Sequence, residues 1–212
     1  MFFSKSITFD QEELNGVASA THSPAESEFI EKLRAGDAAA FDMFVNRYTS
    51  EIYAVLFRLT QDAQEAEDLT QETFLRALKA IRNFRGDADL KTWLYRIAVN
   101  ESRNRFRWWK RRQREKTFSL DAEIKSGDKA IHETFSGTSE NPETETLRRE
   151  RQTALRQALI KLPENFREAI ILRDIQGLSY EEVAAALDAN IGTIKSRIAR
   201  GREELRKMLQ GF

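Results

Sequence analysis

The chain contains no cysteine. A disulfide framework, thiolate metal sites and thiol nucleophiles are therefore excluded. Its only histidines, His22 and His132, lie far apart in the sequence. That argues against a zinc site and against a histidine-based catalytic triad. Proline (3) and glycine (9) are scarce among 212 residues, which disfavours an all-β or loop-rich fold. No apolar run is long enough to span a membrane. The N-terminal MFFSKSITFDQEEL has no basic start followed by an apolar segment, so no signal peptide is read and a cytoplasmic location is expected. An excess of one charge is also missing, with 34 basic against 34 acidic residues. Taken whole, the composition does not point to nucleic acid. Charge by segment does.

What is present is helical periodicity. Phe41, Phe44, Val45, Tyr48, Ile52, Val55, Leu56 and Leu59 recur at i, i+3, i+4, i+7 spacing and form one stripe. Leu69, Thr73, Phe74, Ala77, Leu78 and Ile81 repeat the pattern, as do Leu90, Trp93, Leu94, Ile97 and Ala98. A shorter helix with Phe29, Ile30 and Leu33 precedes them, and Arg34-Ala35-Gly36-Asp37 reads as a stop followed by a restart. Between the second and third long helices the Arg85-Gly86-Asp87 turn breaks the pattern. The loop is expected to carry Phe84 into partly exposed surroundings.

Residues 117–146 lose periodicity and hold seven acidic residues against two lysines. They read as a flexible acidic linker. The fold expected is all-α, with two small helical domains. The parts are an N-terminal extension (1–27), a first domain (28–116), the linker (117–146) and a second domain (147–212).

In the second domain Leu155, Ala158, Leu159 and Leu162 form a helix stopped by Pro163. Phe166, Ala169, Ile170 and Leu172 form the next, ending at Gln176-Gly177. Ser179-Tyr180-Glu181-Glu182 is a capping box opening a third helix, with Val183, Ala184 and Leu187 inward. The turn Asp188-Ala189-Asn190 leads into IGTIKSRIAR. Ile191, Ile194, Ile198, Gly201, Leu205, Met208 and Leu209 share one side of this last helix, while Lys195, Ser196, Ala199 and Arg200 lie opposite. A capped helix, a tight turn and a helix with a basic N-terminal half describe a helix-turn-helix. Small side chains permit close approach to the major groove, and Lys and Arg reach phosphates or guanine edges.

A second basic cluster spans 100–116, NESRNRFRWWKRRQREK, with eight basic against two acidic residues. Phe106, Trp108 and Trp109 are interleaved. Cations track a phosphate backbone and aromatic rings stack on unpaired bases, so this segment suits opened DNA. A polybasic helix end with packed tryptophans is the plainer alternative. An enzyme using Glu65, Glu67 and Asp68 is disfavoured, because no convergent ligands, phosphate loop or nucleophile motif accompanies them. No catalytic residue, cofactor, metal or small-molecule substrate is expected.

Three stretches carry a resemblance: AEDLTQETFLRALKAI, then FRGDADLKTWLYRIAVNESRNRFR, then LPENFREAIILRDIQGLSYEEVAAALDANIGTIKSRIARGREEL. Their order and spacing around an acidic linker resemble the bacterial sigma-70 family, specifically the two-domain extracytoplasmic-function sigma factors. The resemblance covers roughly residues 28–116 and 147–209. It implies that Asp68, Gln71, Glu72 and Phe74 dock on the clamp of the β′ subunit of core RNA polymerase. It implies that Phe84 and Asn100 read the promoter −10 element by holding a flipped base, while Arg103, Arg105 and Arg107 grip the backbone. Lys195, Ser196, Ala199, Arg200 and Arg202 match the −35 recognition helix. The linker resembles a segment threaded through the polymerase's RNA exit path. Core polymerase (β′ and β subunits), promoter DNA and an anti-sigma factor are the partners implied. Asn190 stands where many relatives carry proline, and the turn is expected to survive. Trp108-Trp109 matches no motif of the family. The competing reading is a helix-turn-helix regulator that binds duplex DNA without joining a polymerase.

Overall fold

The computed structural model describes residues 23–84, 86, 88–116 and 142–210, with side chains described outside 113–116 and 142–149. Most of the expected extension, Arg85 and Asp87 of the turn, and most of the linker lie outside the described residues. Among those described, no strand occurs. Eight α-helices run in order: α1 (Pro24–Ala35), α2 (Ala38–Thr60), α3 (Ala63–Ala80), α4 (Leu90–Lys116), α5 (Pro142–Lys161), α6 (Glu164–Ile170), α7 (Tyr180–Leu187) and α8 (Ile191–Met208). A 3-10 turn, Ile81–Asn83, follows α3, and a π-helical turn, Ile171–Ile175, follows α6.

Short polar side chains start these helices as the sequence dictates. Ser23, Asp37, Asp62 and Asn190 each accept a backbone N–H of the first turn, the last from Thr193 at 2.7 Å. Each such cap stabilises its helix by about 1 kcal/mol. Asn190 thus does by side-chain capping what proline would do by fixing φ. Gly36, at φ 81°, closes α1 in the left-handed region, and Asp37 restarts the chain one residue later. The capping box is complete: Glu182 N–H donates to Ser179 Oγ at 3.1 Å, and Ser179 N–H donates to Glu182 Oε2 at 2.6 Å.

The first unit packs α2, α3 and α4 on one another, with α1 against α2 and the 3-10 turn. Phe44 is its centre, edge-on to both Tyr48 and Phe74. The second unit packs α6 and α7 on α8. There Ile194 and Ile198 are fully buried, but Ile191, expected on the same stripe, is 39% exposed because it opens the helix beyond the core. Leu78 of α3 also departs from its expected inward place and is 42% exposed.

The two units touch. Helix α7 lies on α4, and α2 meets both α5 and the π-helical turn.

Gly201 sets the approach of α6 to α8. A Cβ there would stand 3.0 Å from Ile170 Cγ1 and 3.3 Å from Phe166 Cβ. Gly201→Val should therefore destabilise the protein by about 1–3 kcal/mol through overpacking. Ala185→Val, on an exposed position of α7, should stay within about 0.5 kcal/mol. Chemical denaturation of both variants checks the difference.

Candidate nucleic-acid and polymerase interfaces

On α3, Asp68 and Gln71 are exposed and Glu72 is half-exposed. Glu72 is held by Arg76 at 3.2 Å, and Arg76 also pairs with the buried Glu101 of α4 at 2.8 Å. Burial pushes the Glu101 carboxyl above its ordinary range, against the pull of Arg76. Phe74 does not belong to this surface. It is 6% exposed and packed on Phe44 with ring centroids 5.7 Å apart. Its aromatic ring fills the core and only supports the helix from within. The apolar side chains that do face outward are Leu75 (51% exposed) and Leu78 (42%). The signal was in the sequence: Leu75 falls among Asp68, Gln71 and Glu72 on the polar side of the wheel, where core packing gives it no reason to be.

Phe84 is likewise inside. It is 5% exposed, and its ring lies 5.0 Å from that of Trp93. Its carbonyl accepts from the Arg34 guanidinium of α1, which pins the loop entrance to the first helix. The expected partly exposed position is corrected by this packing: a large ring beside a buried tryptophan loses more by facing water than a loop gains by freeing it. Trp93 is core, as expected, at 7% exposure.

The basic end of α4 is divided among three faces. Asn100, Arg103 and Arg107 share one stripe at i, i+3, i+7 spacing. Asn100 is exposed, and Arg107 is exposed while donating to Asn104 Oδ1 at 2.7 Å. Arg103 instead reaches across to α6. Its Nε donates to Glu168 Oε1 at 2.7 Å and its Nη2 to Glu168 Oε2 at 2.6 Å. Arg105 points to another side, 3.6 Å from Glu65 of α3. The three arginines expected to grip one backbone thus stand in different settings. Trp108 and Trp109 are about two-fifths exposed and edge-on to each other, with the Arg112 guanidinium 4.8 Å over the Trp108 ring.

On α8, Lys195, Ser196, Ala199 and Arg200 all face solvent in a continuous patch. Lys195 Nζ lies 5.7 Å over the ring of Tyr180, at the start of α7. Arg202 differs. It forks onto Asp174, Nη2 to Oδ1 at 2.5 Å and Nε to Oδ2 at 3.0 Å. That hydrogen-bonded carboxylate holds the guanidinium above its ordinary pKa. Arg202 therefore fastens α8 to the π-helical turn, with its charge already matched. Sequence periodicity could not reveal this, because Asp174 is 28 residues away.

Chemically, the outward face of α8 offers cations and small side chains on a rigid helix, as major-groove reading requires. The Asn100–Arg107 stripe offers an exposed amide and an exposed guanidinium, the latter hydrogen-bonded to Asn104.

Comparison with known proteins agrees with this anatomy. The Sigma-70 region 2 family matches residues 44–114, and Sigma-70 region 4 matches residues 152–205. The RNA polymerase sigma-H factor of Pseudomonas aeruginosa is 40% identical over 186 residues, which covers 87% of this chain and 94% of that protein. The ECF RNA polymerase sigma-E factor of Haemophilus influenzae is 36% identical over 186 residues, 87% of this chain and 95% of its own. The sigma factor RpoE of Bartonella quintana, solved with the anti-sigma factor NepR, has a TM-score of 0.63 at 29% identity, covering 81% of this chain and 97% of that one. The chain belongs to the sigma-70 family, in its extracytoplasmic-function group, and is a sigma factor for promoter-specific initiation of transcription with RNA polymerase.

Proposed function

We propose how the work is divided. Helix α3 docks on the β′ clamp of core polymerase through Asp68, Gln71 and Glu72, with Leu75 and Leu78 as its apolar anchors. The exposure of two leucines within that polar rim carries this reading. A regulator of duplex DNA alone has no use for such a surface. Phe74 serves by holding α3 in place from the core.

Asn100, with Arg107 and Arg103, reads the −10 element once the strands part. Unstacking and unpairing a base costs a few kcal/mol, and hydrogen bonds to the captured base plus backbone contacts offset it. Phe84 and Trp93 act behind that surface, keeping the loop before α4 rigid. Arg105, paired with Glu65, is the backbone contact on the α3 side. Lys195, Ser196, Ala199 and Arg200 read the −35 duplex, and Arg202 positions α8 for them. The polymerase makes the bonds, so the chain itself has no catalytic residue and acts in the cytoplasm. A relative is solved with an anti-sigma factor, and this chain takes a partner of the same kind on its exposed α3 and α4 surfaces.

Core polymerase supplied with the purified chain should transcribe from a cognate promoter. Leu75→Asp combined with Leu78→Asp should weaken association with core polymerase by about tenfold or more, with the fold intact because both side chains are exposed. Equal association in a pull-down would remove α3 from the docking surface. Asn100→Ala should leave association unchanged yet slow promoter opening, followed by 2-aminopurine fluorescence at the −10 element. Unchanged opening would remove Asn100 from the −10 site. Lys195→Ala and Arg200→Ala should each weaken holoenzyme binding to promoter DNA and reduce the salt slope by about one. Arg202→Ala should instead lower stability by about 0.5–1 kcal/mol, as read by thermal unfolding.

A further inference from the structure

One cation of the first unit serves two carboxylates. On α3, Glu72 and Arg76 stand at i, i+4, the favourable order for an acid and a base on one helix. Arg76 Nε donates to Glu72 Oε1 at 3.2 Å and lies 2.8 Å from Oε1 of Glu101 on α4. The three side chains line a groove between the two helices. Their surroundings differ. Glu72 and Arg76 are about half exposed, whereas Glu101 is only 6% exposed. A buried carboxylate that loses its cation is strongly destabilised, so Glu101 depends on Arg76. Burial is the main force pushing the Glu101 carboxyl up, and Arg76 pulls it down. Glu72 then pushes it up again, while Arg105 and Asn104 pull it down more weakly. Two acids sharing one base leave a negative charge over, and Glu72 is the one of the two that a partner can reach. The placement matters because Glu101 follows Asn100 in the chain. An anchor on the inward residue fixes the setting of its outward neighbour on the same turn.

We propose that Arg76 is a positioning residue: its guanidinium, divided between Glu72 and Glu101, ties the seating of Asn100 to the state of the α3 docking rim. The proposal rests on Glu72 meeting polymerase and Asn100 meeting the −10 strand. The rim formed by Asp68 and Glu72 is acidic, so the partner group that settles on Glu72 is a cation. Once Glu72 holds that cation, it no longer competes for Arg76. The guanidinium then turns wholly to Glu101, and α4 is fastened to α3 one residue from Asn100. A group fixed before its ligand arrives binds more tightly, because less freedom is lost on binding. Coupling of this kind is reciprocal. Opened DNA held by Asn100 therefore strengthens the docking of α3 by the same factor. No movement of one unit against the other is involved, since all four residues belong to α3 and α4.

Glu72→Gln imitates the neutralised rim without polymerase. The quantity to measure is the affinity of the full chain alone for a fluorescent single strand carrying the −10 element of a cognate promoter, read by anisotropy. Glu72→Gln should raise that affinity about fivefold, the low end of couplings between sites. Glu67→Gln, which removes the same charge from an exposed position of the same helix, should give a much smaller gain. The excess should vanish when Glu72→Gln is combined with Asn100→Ala. It should vanish equally with Glu101→Gln, which keeps a hydrogen-bonding group of the same shape in the buried place and so protects the fold. Equal gains from Glu72→Gln and Glu67→Gln would reduce the effect to overall charge and overturn the proposal. So would an excess that survives Glu101→Gln. The two readings beneath the proposal fail separately. Unchanged strand affinity in Asn100→Ala alone removes Asn100 from the −10 site, and undiminished association of Glu72→Gln with core polymerase removes Glu72 from the docking rim. Either result brings the proposal down with it. With both readings intact, the lack of any excess in Glu72→Gln overturns the role of Arg76 alone.

Discussion

Helix α4 answers to three demands at once, and the rest of the molecule is arranged around that constraint. One side must bury Leu94, Tyr95 and Ala98 against α2 and α3 to hold the first unit together. A second must keep Asn100 and Arg107 at the surface. A third meets α7, while Arg103, from the same stripe as Asn100 and Arg107, reaches Glu168 of α6. A helix has room for all three because its side chains spread around the axis at about 100° per residue. The cost is that some residues on it serve two purposes at once. Tyr95 shows this: it is fully buried core, yet its hydroxyl reaches the other unit, and burial drives its pKa well above the ordinary phenolic range.

The charge pattern is resolved by the same geometry. A neutral total concealed two basic segments, and the structure shows that basic residues within them are not equivalent. Arg103, Arg105 and Arg202 are matched by Glu168, Glu65 and Asp174. Among the described residues Lys195 and Arg200 have no such ion pair, and both face water. A cation already paired contributes less to a polyanion's binding than a free one. The paired ones fix helices relative to each other, and those on α4 would reach DNA only by leaving their carboxylates.

Much of this was legible in the sequence. The stripes of α2 and α4, the Gly36-Asp37 restart, the Ser179–Glu182 box and the turn at Asn190 all depend on neighbours within a few residues, and local rules describe them well. What escaped depends on distant partners. Phe84 looked exposed because its loop is polar, but Trp93 shelters it. Phe74 looked available for docking because it lies beside a polar rim, but it turns toward Phe44. Leu78 was the opposite error, an apolar residue placed in the stripe that the core does not take, and Leu75, outside that stripe, was passed over. The fork of Arg103 on Glu168 spans 65 residues, and no periodicity predicts it. The π-helical turn was also unforeseen, although it supplies Asp174 to Arg202, and its capping residue Gln176 meets Tyr95.

In the proposed division of work one chain holds duplex DNA with α8 and opened DNA with α4 when both units are joined to polymerase. Permanganate reactivity and footprinting on a single promoter complex test both halves together. Reactive, unpaired thymines at the −10 element and protection of the −35 duplex are expected in the same complex, only when core polymerase and the chain are both present. Protection of duplex DNA by the chain alone, with no unpaired thymine when polymerase is added, would contradict it.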